Sequence, residues 1–418
     1  MRSTALALAL ASTVLAAPAP AEEPPHQPPT AEADLVARYL ASPVMRARIA
    51  AANARTTAAG IADVDVTNPE IAYRHEDARG TAGARTDAVV GTVTVDLGFV
   101  AAGERRAANQ RGEAGPLWAR AAVVDAVCGL RREAGDSVAA DSELAVRRRA
   151  QGRLETLGDT LVQLAAAGEA SGYDRDRTLL AVAAHRVDLA VAEGEAQALR
   201  STLAARVSQD VESLELSSPS ELPAPDQLVE TAIESHPELR ALLLEQKAAR
   251  TAEAAARRKV APDLTLSGGA RFDAPPDRGP ATPGFEVGAA VELPIFDTHK
   301  AEAFRAEASL QEIGATLARR QAEVGAEVRS AWTRLASARR LGGLEADPAA
   351  VWDAAQDRFV GGEASIEELL QTARDVEAAQ LSELRAQTLR RTAYIDLWCA
   401  AGTHPEAPIS AAIEEALR

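Results

Sequence analysis

Two stretches of the chain alternate apolar and polar residues with a period of two, which is typical of β-strands that have one apolar face. In residues 285–293 the apolar positions are Phe285, Val287, Ala289, Val291 and Leu293. Residues 89–99 repeat the pattern with Val93, Val95, Leu97 and Phe99. Shorter strand-like segments precede them at about 70–75 and 264–272, across loops that contain Gly or Pro. The pattern therefore predicts two β-hairpins.

Elsewhere the apolar positions recur with a helical period. Predicted helical tracts lie at about residues 31–61, 103–208, 226–260 and 299–402. Along the last tract one apolar stripe is flanked by charged positions, and its members are Ile366, Leu369, Leu370, Ala373, Val376, Leu381 and Leu384. A straight helix of about 50 residues would be about 75 Å long, which is more than a globular domain needs. The tracts therefore predict an elongated molecule.

The same order of elements occurs twice. The phrase "GEAS" begins at Gly168 and again at Gly362, 194 positions later, and Pro43 and Pro237 keep that offset. "VDLG" at 95–98 faces "VELP" at 291–294 at a nearly equal offset. We therefore predict an internal duplication. The predicted segments are a first repeat at 22–216, a Pro-rich linker at 217–225, a second repeat at 226–402 and a C-terminal tail at 403–418.

The first residues have the pattern of a secretory signal peptide. Arg2 is followed by an apolar run at 5–17 and then by Ala19-Pro20-Ala21, so we predict a signal peptide at 1–21. No cysteine lies near this site, so we expect no lipid anchor there. Charged residues interrupt every other apolar tract, so no transmembrane helix is predicted, and a membrane role would require the strands.

Composition argues against several further classes of function. A net charge of −16 and a pI near 5.0 argue against a nucleic-acid partner. The six histidines are scattered without metal-ligand spacing, and no Gly-rich phosphate loop follows a strand. We expect no enzyme activity, no metal site and no cofactor. Cys128 and Cys399 lie far apart within predicted helices, and we expect them to be two isolated thiols.

The four predicted strands are close to the 9 to 11 residues that cross a bilayer when tilted. A membrane barrel must close, and single-chain barrels begin at about eight strands. Four strands therefore cannot close alone, whereas three copies of the chain would supply twelve. The alternative is that each alternating strand belongs to a half-buried sheet over a soluble core.

Three longer segments carry a resemblance to a known family, "HPELRALLLEQKAARTAEAAARRKVAPDLTLSGG", "VELPIFDTHKAEAFRAEASLQE" and "RFVGGEASIEELLQTARDVEAAQ". A weaker copy of each segment occurs in the first half of the chain. Together these segments make the chain resemble the TolC-like outer membrane efflux proteins over nearly all its mature length. The segment from Gly362 to Gly402 looks similar to their heavy-metal efflux subgroup.

This resemblance implies a mainly α fold with β-structure, in which a helix–β-hairpin–long-helix unit is duplicated. It implies a homotrimer that forms a 12-stranded outer membrane β-barrel, continued across the periplasm by an α-helical barrel. The implied function is the passive exit duct of a tripartite efflux system that conducts small solutes. The implied partners are outer membrane lipid, a periplasmic adaptor (membrane fusion) protein and an inner membrane efflux pump.

The resemblance also implies a functional site. The "GEAS" phrases would form the periplasmic tip turns, with Gly168, Ser171, Gly362 and Ser365. Six residues beyond each glycine, Asp174 and Glu368 would form a periplasmic gate, in which crowded carboxylates attract cations. The alternative is that each acid only complements the dipole of its helix. The family often has a second acid three residues further on, where this chain has Gln371.

Arg175, Asp176 and Arg177 would form either tip ion pairs or a solvated charge cluster. The first strand, "NPEIAYRHED", is polar for a strand that faces lipid, and we expect it to enter the membrane only in part. The competing function is a periplasmic coiled-coil adaptor or envelope scaffold without a channel. The alternating hairpins argue against it, because a soluble helical rod has no use for them.

Overall fold

The structure is a computed structural model that describes residues 30–60, 68–77, 85–208, 214–216, 222–275, 279–293, 299–343 and 345–418. The predicted signal peptide at 1–21 and residues 217–221 of the predicted linker lie outside these ranges. The described part is mainly helical, with one four-stranded and one two-stranded sheet. The predicted fold class, mainly α with β, is therefore confirmed.

The first repeat contains eight elements among its described residues. The first seven are β1 (Thr30–Ala31), α1 (Glu32–Leu40), α2 (Pro43–Gly60), β2 (Glu70–Asp77), β3 (Arg85–Asp96), α3 (Val100–Ala166) and α4 (Gly172–Val207). The strand β4 (Leu214–Glu215) follows and pairs in parallel with β1. The remaining elements are α5 (Pro225–Ser235), α6 (Pro237–Arg258), β5 (Asp263–Ala274), β6 (Thr282–Glu292), α7 (Lys300–Arg339), α8 (Pro348–Val360), α9 (Ile366–Ala400) and α10 (Ala407–Ala416).

Two predicted helical tracts are each divided by a proline. The tract predicted at 31–61 is α1 and α2, and the tract at 226–260 is α5 and α6. Pro43 and Pro237 each occupy the first position of the second helix. Proline has no backbone N–H and its ring clashes with the preceding turn, so it favours the first position of a helix, although α3 continues through Pro116. Predicting one continuous helix in each place was wrong for this reason.

The long tracts differ between the repeats. The tract predicted at 103–208 is α3 and α4, and α3 alone has 67 residues, about 100 Å of helix. The tract predicted at 299–402 is three helices, because α7 ends at Arg339 and α8 begins after Asp347. The side chain of Asp347 accepts a hydrogen bond from the backbone N–H of Ala349 at 2.9 Å, which caps the new helix.

The four predicted strands are present, with shifted ends. The strands predicted at 89–99 and 285–293 are Arg85–Asp96 and Thr282–Glu292. The sheet has the order β2-β3-β5-β6 and is antiparallel throughout. Its central pair, β3 with β5, joins the two repeats from Arg85 opposite Ala274 to Asp96 opposite Asp263. β2 is paired with β3 over its whole length.

Among the described residues, the three largest apolar clusters support the helices. The first joins α1, α2, α3, α4 and α10 around residues such as Leu35, Val127 and Ile409. The second joins α5, α6, α7 and α9. The third lies near the "GEAS" turns and joins α3, α4, α8 and α9, with Leu157 and Leu369 nearly inaccessible to solvent. Helix α9 of the second repeat therefore packs on α3 of the first.

The two cysteines form a disulfide. Cys128 of α3 and Cys399 of α9 are bonded, with their Cα atoms 6.0 Å apart and 271 residues between them in sequence. The expectation of two isolated thiols was therefore wrong. Helical periodicity places each cysteine on its own helix, but it does not say which helices pack together.

A buried charge network lies beside this disulfide. The Arg131 side chain is fully buried; its Nε donates to Glu32 Oε1 at 2.8 Å and its Nη2 donates to Glu406 Oε1 at 2.7 Å. Arg391 of α9 donates to the same Glu32 oxygen at 2.7 Å. The network ties α1, α3, α9 and the segment before α10 together. Removal of one partner would leave an uncompensated buried charge.

We expect Arg131→Ala to lower the free energy of unfolding by about 3–5 kcal/mol, because Glu32 would stay buried with reduced compensation. Arg148→Ala is a matched control on the same helix, since Arg148 makes a largely exposed ion pair with Glu193 at 2.9 Å. It should cost at most about 1 kcal/mol. Denaturant titration of the purified protein in detergent measures both. Equal small losses would contradict a stabilising role of the network.

Candidate functional site

The two "GEAS" turns have the same backbone geometry. Gly168 and Gly362 have φ of 76° and 75°, values that favour glycine because it has no Cβ. The backbone N–H of Glu169 donates to Leu164 O at 2.8 Å, and that of Glu363 donates to Arg358 O at 2.8 Å. The repeated phrase therefore encodes a repeated turn between two helices.

The serine of each phrase caps the helix that follows. Ser171 Oγ accepts a hydrogen bond from the backbone N–H of Asp174 at 3.0 Å, and Ser365 Oγ accepts one from that of Glu368 at 3.2 Å. The acids return the contact. Ser171 Oγ donates to Asp174 Oδ2 at 2.7 Å, and the backbone N–H of Ser365 donates to Glu368 Oε2 at 3.0 Å. Ser365 and Glu368 thus form a capping box at the start of α9, whereas the Asp174 carboxylate at the start of α4 is held by the hydroxyl of Ser171 alone.

These contacts support the alternative in which Asp174 and Glu368 stabilise the N-terminal ends of α4 and α9. They also fix where the carboxylates lie, next to the turns and at the surface of the protomer. A gate needs the same residues from other copies of the chain. The gate function of both acids therefore stays a prediction.

The charged residues after Asp174 divide into two ion pairs. Arg175 pairs with its neighbour Asp176, with Nη2 2.7 Å from Oδ1. Arg177 donates from Nη2 to Glu367 Oε1 at 3.1 Å and so joins the second turn of α4 to the first turn of α9. This hydrogen bond raises the pKa of Arg177 and lowers the pKa of Glu367, so both groups are charged at neutral pH.

Sequence reasoning did not find Glu367. In the alignment of the two repeats, Glu367 is equivalent to Tyr173. The first repeat therefore has no acidic residue at this position that would have marked Glu367 as a site residue. Gln371, the departure from the double-acid pattern, donates to Asp375 Oδ1 at 2.9 Å within its own helix. It occupies the position that Arg177 has in the first repeat.

The four-stranded sheet has apolar side chains on one face and mainly polar side chains on the other. The register places Val93, Leu266 and Ala289 on one face, and Val95, Leu264 and Val291 beside them. All large apolar side chains that are exposed in the described strands lie on this face, namely Ile71, Tyr73, Val89, Val93, Val95, Leu266, Phe272, Phe285, Val287 and Val291. We call it the apolar face.

The opposite face is mainly polar, although Ala88 and Val90 also lie on it and are buried. Asp96, Asp263 and Glu292 are register neighbours at one end of it, and Arg74 Nη1 lies 3.9 Å from Glu286 Oε1 further along. Phe285 and Val287 on the apolar face are 85% and 81% exposed. A sheet over a soluble core would bury them, so the exposure argues against that alternative.

The polar residues of β2 that share the apolar face are paired at the hairpin end. Tyr73 Oη donates to Asp87 Oδ1 at 2.5 Å, and His75 Nδ1 lies 2.6 Å from the same oxygen. Arg85 Nε lies 3.2 Å from Asp87 Oδ2. On this face, the polar side chains of β2 that the structure describes therefore lie in one hydrogen-bonded cluster at the end of the sheet.

Among the described helices, none is both long enough and apolar enough to cross a membrane. Residues 228–403 match the family model of the outer membrane efflux proteins. No curated protein matches the chain in sequence.

Solved structures share the fold over most of the chain. A membrane protein from Pseudomonas aeruginosa is 21% identical, with a TM-score of 0.72, and the match covers 91% of this chain and 93% of that one. The Campylobacter jejuni CmeC outer membrane channel is 14% identical, with a TM-score of 0.68 and 93% and 89% coverage. The Neisseria gonorrhoeae MtrE outer membrane channel, solved in its open state, is 16% identical, with a TM-score of 0.67 and 89% coverage of each chain.

Proposed function

We propose that this chain is a TolC-like outer membrane efflux protein that forms the outer membrane exit duct of a tripartite efflux system; the match of residues 228–403 to the outer membrane efflux protein family supports this. The observation that carries the proposal is the apolar face, which is exposed on one side of the sheet while the other side is polar. Such a sheet suits lipid outside and water inside. The long helices that continue from it suit a tunnel across the periplasm.

The edges of the sheet support a trimer. β2 and β6 are its outer strands, and neither has a second neighbour among the described residues. Unpaired backbone groups are costly in lipid, so a sheet within a membrane must close. Three copies would bring β6 of one protomer beside β2 of the next and form a 12-stranded barrel.

Helix α4 supports the same assembly. Tyr173, Leu180, Val187 and Val191 lie on it at spacings of seven, seven and four residues, the period of a coiled-coil seam. Their exposed fractions are 70%, 73%, 64% and 56% in the single protomer. A helix of a neighbouring protomer would cover this seam and close a helical barrel.

The duct is passive in this proposal, and its partners supply energy and selectivity. A periplasmic adaptor (membrane fusion) protein and an inner membrane pump would deliver small solutes to the tip. The acids Asp174 and Glu368 would form the gate there. The alternative, a periplasmic adaptor or envelope scaffold without a channel, would leave the apolar face without a function.

The test of the duct is the mass and conductance of the mature protein in detergent. We expect light scattering to give three protomers per particle, and we expect discrete conductance steps after reconstitution into a planar bilayer. A monomer or dimer that is soluble without detergent and does not conduct would contradict the proposal and favour the scaffold.

The apolar face gives a second test with a control on the same strand. We expect Val287→Arg to prevent outer membrane insertion, because a cation at the middle of a lipid-facing strand costs about 2–4 kcal/mol in each protomer. Ala290→Arg places the same charge on the polar face of β6 and should insert normally. Heat-modifiable trimer in outer membrane fractions is the measurement. Equal insertion of both variants would contradict the assignment of the faces.

The gate gives a third test. Glu368→Gln keeps the reciprocal cap with Ser365 but removes one charge from each protomer. We expect divalent cations to block the channel about tenfold less tightly, which corresponds to about 1.4 kcal/mol of lost ion binding. Glu363→Gln, in the same exposed turn, is the control and should leave block unchanged. If both variants behave like the unmodified channel, Glu368 acts only as a helix cap.

A further inference from the structure

The two sulfurs of the Cys128–Cys399 disulfide have different surroundings. Cys128 is 1% exposed and lies within the apolar cluster around α1 and α3. Cys399 is partly buried and lines a groove of about 580 Å³ between α3, α7 and α9. Cys399 is therefore the more accessible of the two bonded cysteines.

The groove is polar and rich in arginine. Its lining includes Arg132, Arg320 and Arg334 together with Asp125, Glu327 and Asp396. Arg132 Nη2 lies 2.8 Å from Asp396 Oδ1, and Arg320 Nη1 lies 3.0 Å from Glu327 Oε1. Such a surface admits a hydrated, charged reactant, since its polar side chains are open to solvent.

The buried sulfur faces a hydrogen-bond donor. Arg131 Nη1 lies 3.1 Å from His404 Nδ1, and a guanidinium can only donate, so Nδ1 accepts and the ring hydrogen lies on Nε2. His404 Nε2 is 3.9 Å from Cys128 Sγ. Burial, followed by the Arg131 charge, lowers the pKa of His404 to about 4, so the ring is neutral at physiological pH. Because Nδ1 accepts from Arg131, the Nε2–H group also donates to the backbone carbonyl of Val124, and the Cys128 sulfur lies beside this donor.

We propose that Cys128–Cys399 is an exchangeable disulfide with a fixed direction, in which a partner thiol attacks the sulfur of Cys399 and Cys128 leaves. The fitting partner is an exported thiol–disulfide oxidoreductase with a pair of cysteines. This inference does not rest on the proposed duct function.

The chemistry balances with that partner alone. A partner thiolate forms a bond to the Cys399 sulfur, the Cys128–Cys399 bond breaks, and its electron pair stays on Cys128, which then takes a proton. The second partner thiol attacks the mixed disulfide and releases Cys399 as a thiol. Two electrons and two protons have then passed to this chain, and the partner's cysteines have become a disulfide. Formation of the bond is the reverse sequence, with an oxidised partner as the acceptor.

The bond joins α3 of the first repeat to the end of α9 in the second. It can form only after the two repeats have docked, since its Cα atoms must come to 6.0 Å from distant parts of the chain. Exchange at Cys399 therefore links the redox state of the compartment to the docking of the repeats.

The first experiment uses the unmodified mature protein in detergent and limiting reduced glutathione. The reaction is stopped with acid, free thiols are alkylated, and peptides are analysed by mass spectrometry. We expect glutathione on Cys399 and the alkyl group on Cys128 to exceed the reverse pattern by about tenfold or more. An equal or reversed distribution would overturn the direction, and a complete absence of adduct with intact protein would overturn exchangeability.

The second experiment uses two matched variants, each with a single thiol. Cys128→Ser leaves Cys399, and Cys399→Ser leaves Cys128. With Ellman's reagent we expect the Cys128→Ser protein to react about tenfold faster or more, because its thiol lies in the groove. Both should react equally in guanidinium, which controls for reagent and protein concentration. If Cys128 reacts as fast as Cys399 in variants with matching circular dichroism spectra, the proposal fails.

Discussion

The antiparallel ladder between β3 and β5 is the interaction on which the rest of the architecture depends. Each repeat supplies one hairpin, and a two-stranded hairpin is at best marginally stable alone. The ladder, from Arg85 opposite Ala274 to Asp96 opposite Asp263, turns two hairpins into one sheet. Because side chains alternate between faces, this one register gathers the apolar positions of all four strands on the same side. It also sets α3 and α7 to leave the same end of the sheet.

The helices are held together far from the sheet by a different kind of interaction. Arg131, Glu32, Glu406 and Arg391 form a buried network beside the disulfide, and α10 packs on α1 through the same apolar cluster. The start and the end of the described chain therefore meet on the middle of α3. Charges are costly to bury unless they are paired, so this arrangement specifies which segments meet as well as stabilising them.

The turns at the other end of the helices combine local and assembly roles. Gly168 and Gly362 reverse the chain, and Ser171 and Ser365 cap the helices that follow. The capping geometry holds Asp174 and Glu368 at the surface of the turn. In the proposed trimer the same contacts would place the carboxylates near one axis. The glycine turns and serine caps that connect the helices would then also position the gate. The Arg177–Glu367 pair then links the two turns within a protomer.

The sequence by itself determined the strands, the duplication, the two turns and the resemblance to the efflux family, because period, glycine and capping residues act over a few neighbouring positions. Pro43 and Pro237 also encode the two helix breaks locally. A single helical tract was predicted at each place, although each proline favours the start of a new helix. Only the tertiary structure decided the Cys128–Cys399 bond, the Arg131 network and the pairing of Arg177 with Glu367. These contacts join residues about 100 to 360 positions apart. No local pattern specifies them, because each depends on which helix faces of the two repeats pack together.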